Sequence, residues 1–218
     1  MHDVDRFTGD TMFDRLGRAV CAAGCLPRKE LYESWETARR ARRLFRGGRV
    51  VDLGGGHGLL AHVMLILDAT SPSAIVADRQ PVPSAPVLHA ALAAAWPHLA
   101  GRVSFHAVPL EDVEIEASDV VVSNHACGAL TDLVLDRAAS ARARVAVLPC
   151  CHDFKACDAG SLSGWLDPSL AIDVVRATRL RERGYRIWTQ TIPGDITPKN
   201  RLLLGTPVPA LTFPERGG

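Results

Sequence analysis

The sequence predicts an α/β fold with a seven-stranded, mostly parallel sheet, one antiparallel strand and two helices ahead of the sheet. Three observations support this prediction. From Arg49 onward, short β-branched runs alternate with helical stretches, which is the order that produces a parallel sheet covered on both faces. A glycine-rich turn at residues 54–58 joins the first of these runs to the first helical stretch. The last two runs are separated only by a Pro-Gly-Asp turn and Pro198, so they favour an antiparallel hairpin.

Two helices are predicted before the sheet. The first runs from Thr11 to Ala23, with apolar side chains at helical spacing, and stops at Gly24. The second begins at Pro27 and is ended by Gly47-Gly48. We expect these two helices to border the active site.

The remaining elements alternate along the chain. The predicted strands are Arg49 to Leu53, Ser73 to Asp78, Arg102 to Ala107, Asp119 to Ser123, Arg144 to Leu148, Tyr185 to Ile192 and Arg201 to Thr206. The predicted helices are Gly58 to Asp68, Ala85 to Leu99, Ala129 to Ala141 and Asp167 to Arg183. This order divides the chain into a helical extension, residues 1–48, and a main domain, residues 49–218.

The composition is that of an ordinary globular protein. Hydrophobic residues make up 47% of the 218 residues and charged residues 22%, values that exclude a disordered or collagen-like chain. No apolar run reaches the roughly 18 residues that a bilayer span requires, and the acidic N-terminus, Met1 to Asp5, lacks the apolar core of a secretory signal. We therefore expect a cytoplasmic protein without a membrane partner. Its six cysteines are expected to be reduced thiols.

The near-zero net charge hides an uneven distribution of charged residues. Residues 1–51 carry 11 basic and 7 acidic side chains, whereas residues 52–136 carry 2 basic and 10 acidic. Residues 176–201 are basic again, with 7 basic side chains against 2 acidic. The tightest cluster holds six arginines between positions 39 and 49, with no acid among them. It is either a solvated helix face or a patch that contacts phosphates.

The glycine-rich turn narrows the choice of ligand. Glycines at the junction of a strand and a helix allow a tight turn and let a ligand approach the backbone amides. A dinucleotide site of the G-x-G-x-x-G type would need a third glycine at position 59, where this chain has Leu59. No Lys-Ser or Lys-Thr pair follows the glycines, which excludes a P-loop.

Asp52 followed by Gly54, Gly56 and Gly58 resembles motif I of the class I S-adenosylmethionine-dependent methyltransferases, which have a Rossmann-like sheet. The resemblance implies that the acid and the glycine amides surround the methionine part of the cofactor, whose positive groups suit a carboxylate. Asp78 closes the second strand 20 residues beyond Gly58, where a carboxylate can accept hydrogen bonds from the ribose hydroxyls. The other cofactor-binding residues that we assign from the resemblance are Arg79, Leu110, Glu111, Asp112 and Asn124.

Two further motifs lie at the ends of the fourth and fifth strands, on the side where open α/β sheets bind their ligands. They are His125-Ala126-Cys127-Gly128 and Cys150-Cys151-His152. With Pro198-Lys199-Asn200-Arg201, they resemble a methyltransferase subgroup that includes the eukaryotic tRNA ribose 2′-O-methyltransferase and related methyltransferase-like proteins. This chain departs from the tRNA enzymes in having Asn124 before the first motif and Asp153 after the second.

Three residues are candidates for acid–base catalysis. His125 and His152 have suitable reference pKa values, and Lys199 is suitable if it is desolvated. The alternative for each histidine is a packing role at the pocket wall. The residues expected to contact the substrate are Cys127, Cys150 and Asn200.

Several cysteines are also candidate metal ligands. The residues with ligand chemistry after the fifth strand are Cys150, Cys151, His152 and Cys157. They do not have the paired C-x₂-C spacing of zinc sites, so no metal site is predicted. Buried reduced thiols are the expectation.

The resemblance implies an S-adenosylmethionine-dependent methyltransferase that releases S-adenosylhomocysteine. RNA modification, with tRNA as the leading acceptor, is expected from the subgroup resemblance and from the basic flanks on either side of the acidic middle. A small-molecule or peptide acceptor is the alternative, because four tryptophans are available to line an apolar pocket. A catalytically silent module that binds the cofactor or a partner protein is a third hypothesis.

Overall fold

The computed structural model describes residues 3–80 and 82–209 and has the predicted architecture. Its strands are β1 (Val50–Leu53), β2 (Ala74–Asp78), β3 (Val103–Ala107), β4 (Val120–Ser123), β5 (Arg144–Val147), β6 (Tyr185–Thr191) and β7 (Arg201–Pro207). Its α-helices are α1 (Met12–Ala23), α2 (Arg28–Leu44), α3 (Leu59–Leu67), α4 (Ala85–Ala95), α5 (Ala129–Ser140) and α6 (Pro168–Glu182). Residues 1 and 2, and the predicted end of the main domain at residue 218, lie outside the described residues. The division into extension and main domain stays a prediction.

The strands form one sheet in the order β3-β2-β1-β4-β5-β7-β6. Neighbours from β3 to β5 pair in parallel, and β7 is antiparallel to both β5 and β6. The predicted seven-stranded sheet with one reversed strand is therefore confirmed. The strand order reverses direction between β1 and β4, so the carboxyl ends of these neighbours border the crevice where such sheets bind ligands.

Local sequence signals explain where the helices begin and end. Thr11 caps α1 by accepting a hydrogen bond from the Asp14 amide, and the helix ends at Gly24, whose φ is 67°. Helix α4 is shorter than predicted, because Trp96 precedes Pro97 and a residue before proline avoids the helical conformation.

Two apolar clusters pack against the two faces of the sheet. In β1, Val50 belongs to the cluster shared with α1 to α4, and Val51 belongs to the cluster shared with α5 and α6. Leu31 of α2 is fully buried in the first cluster, so the N-terminal helices share a core with the sheet. Among the helices within residues 3–80 and 82–209, none combines the length and apolarity that crossing a membrane requires.

The arginine cluster is mostly paired inside the fold. Arg42 is 2% exposed, lies 3.3 Å from the Asp68 carboxylate and donates to the Met64 carbonyl and the Ser71 hydroxyl. Burial lowers the pKa of Arg42 to about 10, although Asp68 opposes the shift. The other arginines of the cluster with a carboxylate within 4.0 Å are Arg39, Arg40, Arg46 and Arg49. Most of the cluster is thus paired with carboxylates of the chain, from Glu36 on the same helix and from Asp68 and Asp119 farther along the sequence.

Candidate active site

The glycine-rich turn after β1 forms one wall of a cleft at the carboxyl end of the sheet. Gly54, Gly56 and Gly58 have positive φ angles of 67°, 54° and 75°. A side-chain carbon at Gly58 would lie 2.7 Å from Val76, so this glycine is required for packing. A carbon at Gly56 would meet no atom within 4 Å. The turn therefore offers its backbone to a ligand at Gly56 and is closed at Gly58.

Two buried polar side chains near the turn have atoms with no hydrogen-bond partner in the described part of the chain. The Asp52 residue is 1% exposed; its Oδ2 accepts from the Ala61 amide at 3.2 Å, and its Oδ1 has no partner. Asn124 is 2% exposed, and neither atom of its side-chain amide is bonded. Burial raises the pKa of Asp52 to about 7; the Ala61 bond opposes the rise and the Asp78 charge adds to it. An unpaired buried polar group costs about 1–3 kcal/mol, so both side chains indicate a polar ligand.

Most of the predicted cofactor residues meet in two adjoining pockets. The cleft has a volume of about 410 Å³. The predicted site residues that line it are Gly54, Gly56, Asp78, Arg79, Leu110, Glu111 and His125. A deeper pocket shares His57 and His125 with the cleft and has Asp52 and Asn124 in its wall. We call the two pockets together the cofactor cleft.

Asp78, at the end of β2, holds the glycine turn in place. One of its carboxylate oxygens accepts from the Gly56 amide at 3.3 Å and the other accepts from the Gln80 amide at 3.2 Å. Two predicted cofactor residues do not line the cleft. Gly58 caps α3, and Asp112 is exposed in the 3-10 turn after β3.

Three polar residues of the cofactor cleft are absent from the sequence-based prediction. Glu30 and Ser34 reach it from α2, and His57 reaches it from within the glycine turn. Burial raises the pKa of Glu30, and the neighbouring Glu33 charge adds to the rise. His57 could have been predicted, because it lies between glycines of the turn. No local sequence feature predicts that α2 reaches the cleft. The second N-terminal helix therefore borders the site, whereas no residue of α1 lines either pocket, so the expectation for both helices is correct for α2 alone.

His125 lines both pockets of the cofactor cleft. Burial lowers the pKa of His125 below its reference value of 6.5, and the nearby Lys29 and His57 charges add to the effect. The ring is therefore neutral near pH 7 and able to accept a proton. This placement is compatible with the predicted catalytic role.

A second concavity, of about 590 Å³, lies beyond the loops that follow β4 and β5. The residues that line it are Cys127, Gly128, Ala129, Cys151, His152, Asp153, Phe154 and Lys155. We call it the cysteine concavity. Residues 125–130 separate it from the cofactor cleft, since His125 and Leu130 line the cleft and the residues between them line the concavity.

The second candidate histidine is fixed by an ionic network. The His152 side chain is 1% exposed, and its Nε2 lies 2.8 Å from the Asp173 carboxylate, while its Nδ1 has no partner among the described residues. Asp173 also binds Arg176 and Arg201, at 3.3 and 2.6 Å. Burial alone would raise the pKa of Asp173, but the bonds from His152 and Arg201 outweigh it and lower the pKa. His152 is thus held by the scaffold.

The remaining predicted residues lie outside the cofactor cleft and the cysteine concavity. Asn200 donates its side-chain amide to the Ile192 carbonyl at 3.0 Å, and the Lys199 backbone amide donates to the Thr197 hydroxyl. Cys150 lies behind the cysteine concavity, with its Sγ 2.8 Å from that of Cys127. The roles predicted for these side chains stay predictions.

Structures with this fold include methyltransferases. An O-methyltransferase family protein from Burkholderia thailandensis has a TM-score of 0.50 and 21% identity, over 93% of this chain and 61% of its own. A Pyrococcus horikoshii protein provisionally described as an RNA methyltransferase has a TM-score of 0.56 and 16% identity, over 93% of this chain and 100% of its own. TrmK from M. capricolum, solved with S-adenosylhomocysteine, has a TM-score of 0.50 and 12% identity, over 78% of this chain and 66% of its own. These likenesses show a shared fold, and this chain spans about three fifths of the Burkholderia protein.

Sequence comparison gives the family. No curated protein matches the chain. A family model described as a methyltransferase domain matches residues 35–155, which is more than half of the chain. The matched region includes the glycine turn and the motifs after β4 and β5. The chain therefore belongs to the methyltransferase domain family, and the cofactor that this family implies is S-adenosylmethionine.

Proposed function

We propose that this methyltransferase acts on RNA, with tRNA as the leading acceptor. The single observation that carries the proposal is the loop after β5, in which the exposed Phe154 and the adjacent Lys155 line the cysteine concavity. Phe154 is 61% exposed and Trp165 is 89% exposed, and Lys155 follows Phe154 in the wall of the cysteine concavity. Exposed aromatic rings next to cations are the usual means of stacking and holding single-stranded bases.

The residues of the cofactor cleft fit S-adenosylmethionine. Asp52 Oδ1 and the Asn124 amide are buried without partners, and they suit the polar end of a methionine moiety. The open backbone at Gly56 leaves room for the cofactor, and Asp78 at the end of β2 is the candidate for the ribose hydroxyls. Leu110 and the segment after it are the candidates for the adenine. Bound S-adenosylmethionine supplies a methyl group on a sulfonium.

His125 is the proposed general base. It stands between the cofactor cleft and the cysteine concavity, and its lowered pKa leaves the ring neutral near pH 7. Positioning of nucleophile and methyl group contributes most of the rate in such a displacement, and removal of a hydroxyl proton adds to it. His152 is proposed to orient the loop after β5 rather than to take the proton, because its Nε2 is bound to Asp173. Lys199 remains a candidate only if the loop before β7 moves toward the site.

The support for RNA comes from the loop and from resemblance rather than from the basic flanks. In the second flank, Arg176, Arg183 and Arg201 each pair with a carboxylate, so their charges are largely neutralised within the chain. The two motifs that resemble the tRNA ribose 2′-O-methyltransferases favour the same acceptor class. The Pyrococcus horikoshii protein with this fold is provisionally described as an RNA methyltransferase.

Binding of bulk tRNA at several salt concentrations tests this proposal. Affinity is expected to fall steeply as salt rises, since each displaced counterion contributes to the slope. Phe154→Ala is expected to weaken binding about tenfold, in line with about 1–3 kcal/mol for one stacked base. Arg6→Ala is the control, because Arg6 is an exposed cation that lines neither pocket. A flat salt dependence, or no binding at low salt, would refute an RNA acceptor.

A small-molecule or peptide acceptor is the second candidate, and one observation favours it. A cavity of about 540 Å³ lies between α6 and the last two strands, with Pro149, Leu170 and Val174 in a mainly apolar wall. Its size suits a small ligand. Cys127 and His152 line the neighbouring concavity but not this cavity.

Transfer of labelled methyl groups to fractionated cell extract separates the candidates. Label is expected in the RNA fraction and is expected to be lost with His125→Ala or Asp78→Ala. Label in the small-molecule or peptide fraction would replace RNA with the second candidate. Cofactor binding without transfer to any fraction would favour a catalytically silent module.

A further inference from the structure

Three cysteines that are distant in sequence meet beside the active site. Cys127 follows β4, and Cys150 and Cys151 follow the neighbouring strand β5. Their three sulfur atoms all lie within 4.8 Å of one another. Cys127 and Cys151 are exposed and line the cysteine concavity, whereas Cys150 is partly buried behind them. The cluster is therefore open to solvent on one side and backed by protein on the other.

The backbone holds the two cysteine-bearing loops together without help from the thiols. The Gly128 amide donates to the Cys151 carbonyl at 3.1 Å. A side-chain carbon at Gly128, whose φ is 57°, would lie 3.2 Å from the Asp153 Cβ, so a glycine permits this close approach. Arg176, with a side chain 1% exposed, donates to the Gly128 carbonyl at 2.9 Å and pairs with Asp132. The loops that carry the three thiols are thus held in place by other contacts.

This geometry matches thiolate coordination of a metal. Sulfur atoms around a tetrahedral zinc ion lie about 3.8 Å apart, given zinc–sulfur bonds of about 2.3 Å. The three sulfurs already lie within 4.8 Å of one another, and zinc binding requires Cys127 and Cys150, now 2.8 Å apart, to separate by about 1 Å. Zinc binds cysteine as the thiolate, and the bound dication stabilises that form.

We propose that Cys127, Cys150 and Cys151 form a zinc site with one open coordination position facing the cysteine concavity. Three protein ligands and an open fourth position are the pattern of reactive rather than purely structural zinc sites. The site also links the loops after β4 and β5, so zinc is expected to stiffen this side of the active site. The inference does not depend on the acceptor, because it rests on the three thiols and their support alone.

Zinc content and cobalt substitution test the site in the full chain. Protein prepared under reducing conditions is expected to bind one zinc ion per chain. Replacement by Co²⁺ is expected to give the absorption of tetrahedral cobalt with a thiolate-to-metal charge-transfer band. Absence of stoichiometric zinc, or a cobalt spectrum without the thiolate band, would refute the proposal. A Cys127–Cys150 disulfide that persists in the same reducing preparation would also refute it.

Matched variants locate the metal. Cys127→Ser and Cys151→Ser are each expected to lower zinc affinity at least tenfold and to weaken the charge-transfer band. Cys21→Ser is the control, because Cys21 lies in α1 outside the cluster, and it is expected to retain both signals. Equal loss of zinc in the control, or full retention in both cluster variants, would show that the metal binds elsewhere. The cobalt spectrum of the unsubstituted chain stays decisive if a variant fails to fold.

Discussion

The carboxylate in the cofactor cleft and the carboxylate behind the cysteine concavity differ in how completely they are hydrogen-bonded. In the cleft, Asp52 keeps one carboxylate oxygen without a partner and Asn124 has an unbonded amide. Behind the concavity, Asp173 is bound by His152, Arg176 and Arg201 at once. Both regions lie at the carboxyl end of the same sheet.

The difference distinguishes polar side chains that a bound ligand would satisfy from polar side chains that stabilise the structure around the site. An unsatisfied buried polar group is costly unless something completes it, so the cleft residues mark where a ligand binds. The two charges of a buried ion pair satisfy each other, which indicates a structural role. The same distinction applies to the arginine cluster, where a high density of positive charge belongs mostly to the scaffold.

The largest expected effect distinguishes the two histidines. His125→Gln is expected to lower the rate of methyl transfer by about 10²–10⁴-fold, the usual contribution of a general base. The pH–rate profile of the unsubstituted protein should show an acid limb below about pH 6.5, because burial lowers the pKa of His125 from 6.5. His152→Gln should keep that acid limb whatever its effect on rate. A limb that disappears with His152→Gln and persists with His125→Gln would reverse the two roles.

The next effect tests the paired network. Arg176→Met is expected to reduce the free energy of unfolding by about 1–3 kcal/mol, because it removes the bonds of a buried guanidinium to Asp132 and to the Gly128 carbonyl, while Asp173 keeps other partners. Arg179→Met, on the same helix, is the control; its pair with Asp158 is exposed, so a loss of at most about 1 kcal/mol is expected. Urea unfolding measures both. Equal losses in the two variants would mean that burial does not distinguish these pairs.

A further effect separates two glycines of one turn. Gly58→Ala is expected to cost about 2–4 kcal/mol of stability, because it combines a positive φ with a carbon 2.7 Å from Val76. Gly56→Ala has a positive φ but open space, so about 1–2 kcal/mol is expected. The added methyl at Gly56 should instead weaken cofactor affinity at least tenfold. Thermal unfolding and calorimetric titration with S-adenosylhomocysteine measure the two effects, and unchanged affinity in Gly56→Ala would place the cofactor elsewhere.

The sequence was sufficient for the fold and for most of the cofactor cleft. The alternation of strands and helices could be predicted from the alternating runs, and Gly54, Gly56 and Asp78 could be assigned because the ends of the first two strands resemble the methyltransferase pattern. Glu30 could not be assigned, because it reaches the cleft through the packing of a separate helix. The partners of Arg42 were equally hidden, since Asp68 and Ser71 lie more than 20 residues away.

The cysteine cluster also could not be predicted from the sequence. Spacing rules assess ligands along the chain, and Cys127 is 23 residues from Cys150. Only the parallel pairing of β4 with β5 brings the two loops together. Two of the residues with ligand chemistry after β5 lie outside the cluster, since His152 is bonded to Asp173 and Cys157 lies near Arg176.

The most direct test of the account is the affinity for S-adenosylmethionine between pH 5.5 and 7, measured by calorimetry. The ionised Asp52 carboxylate is expected to favour the cofactor ammonium, and the pKa of Asp52 is about 7 in the ligand-free chain. Affinity should therefore fall by up to about tenfold for each pH unit below 7. Glu30, His57 and His125 line the same cleft, so Asp52→Asn is the control that isolates the carboxylate. The account predicts weaker binding and a flattened pH dependence in Asp52→Asn; equal affinity and the same pH dependence in both proteins would contradict it.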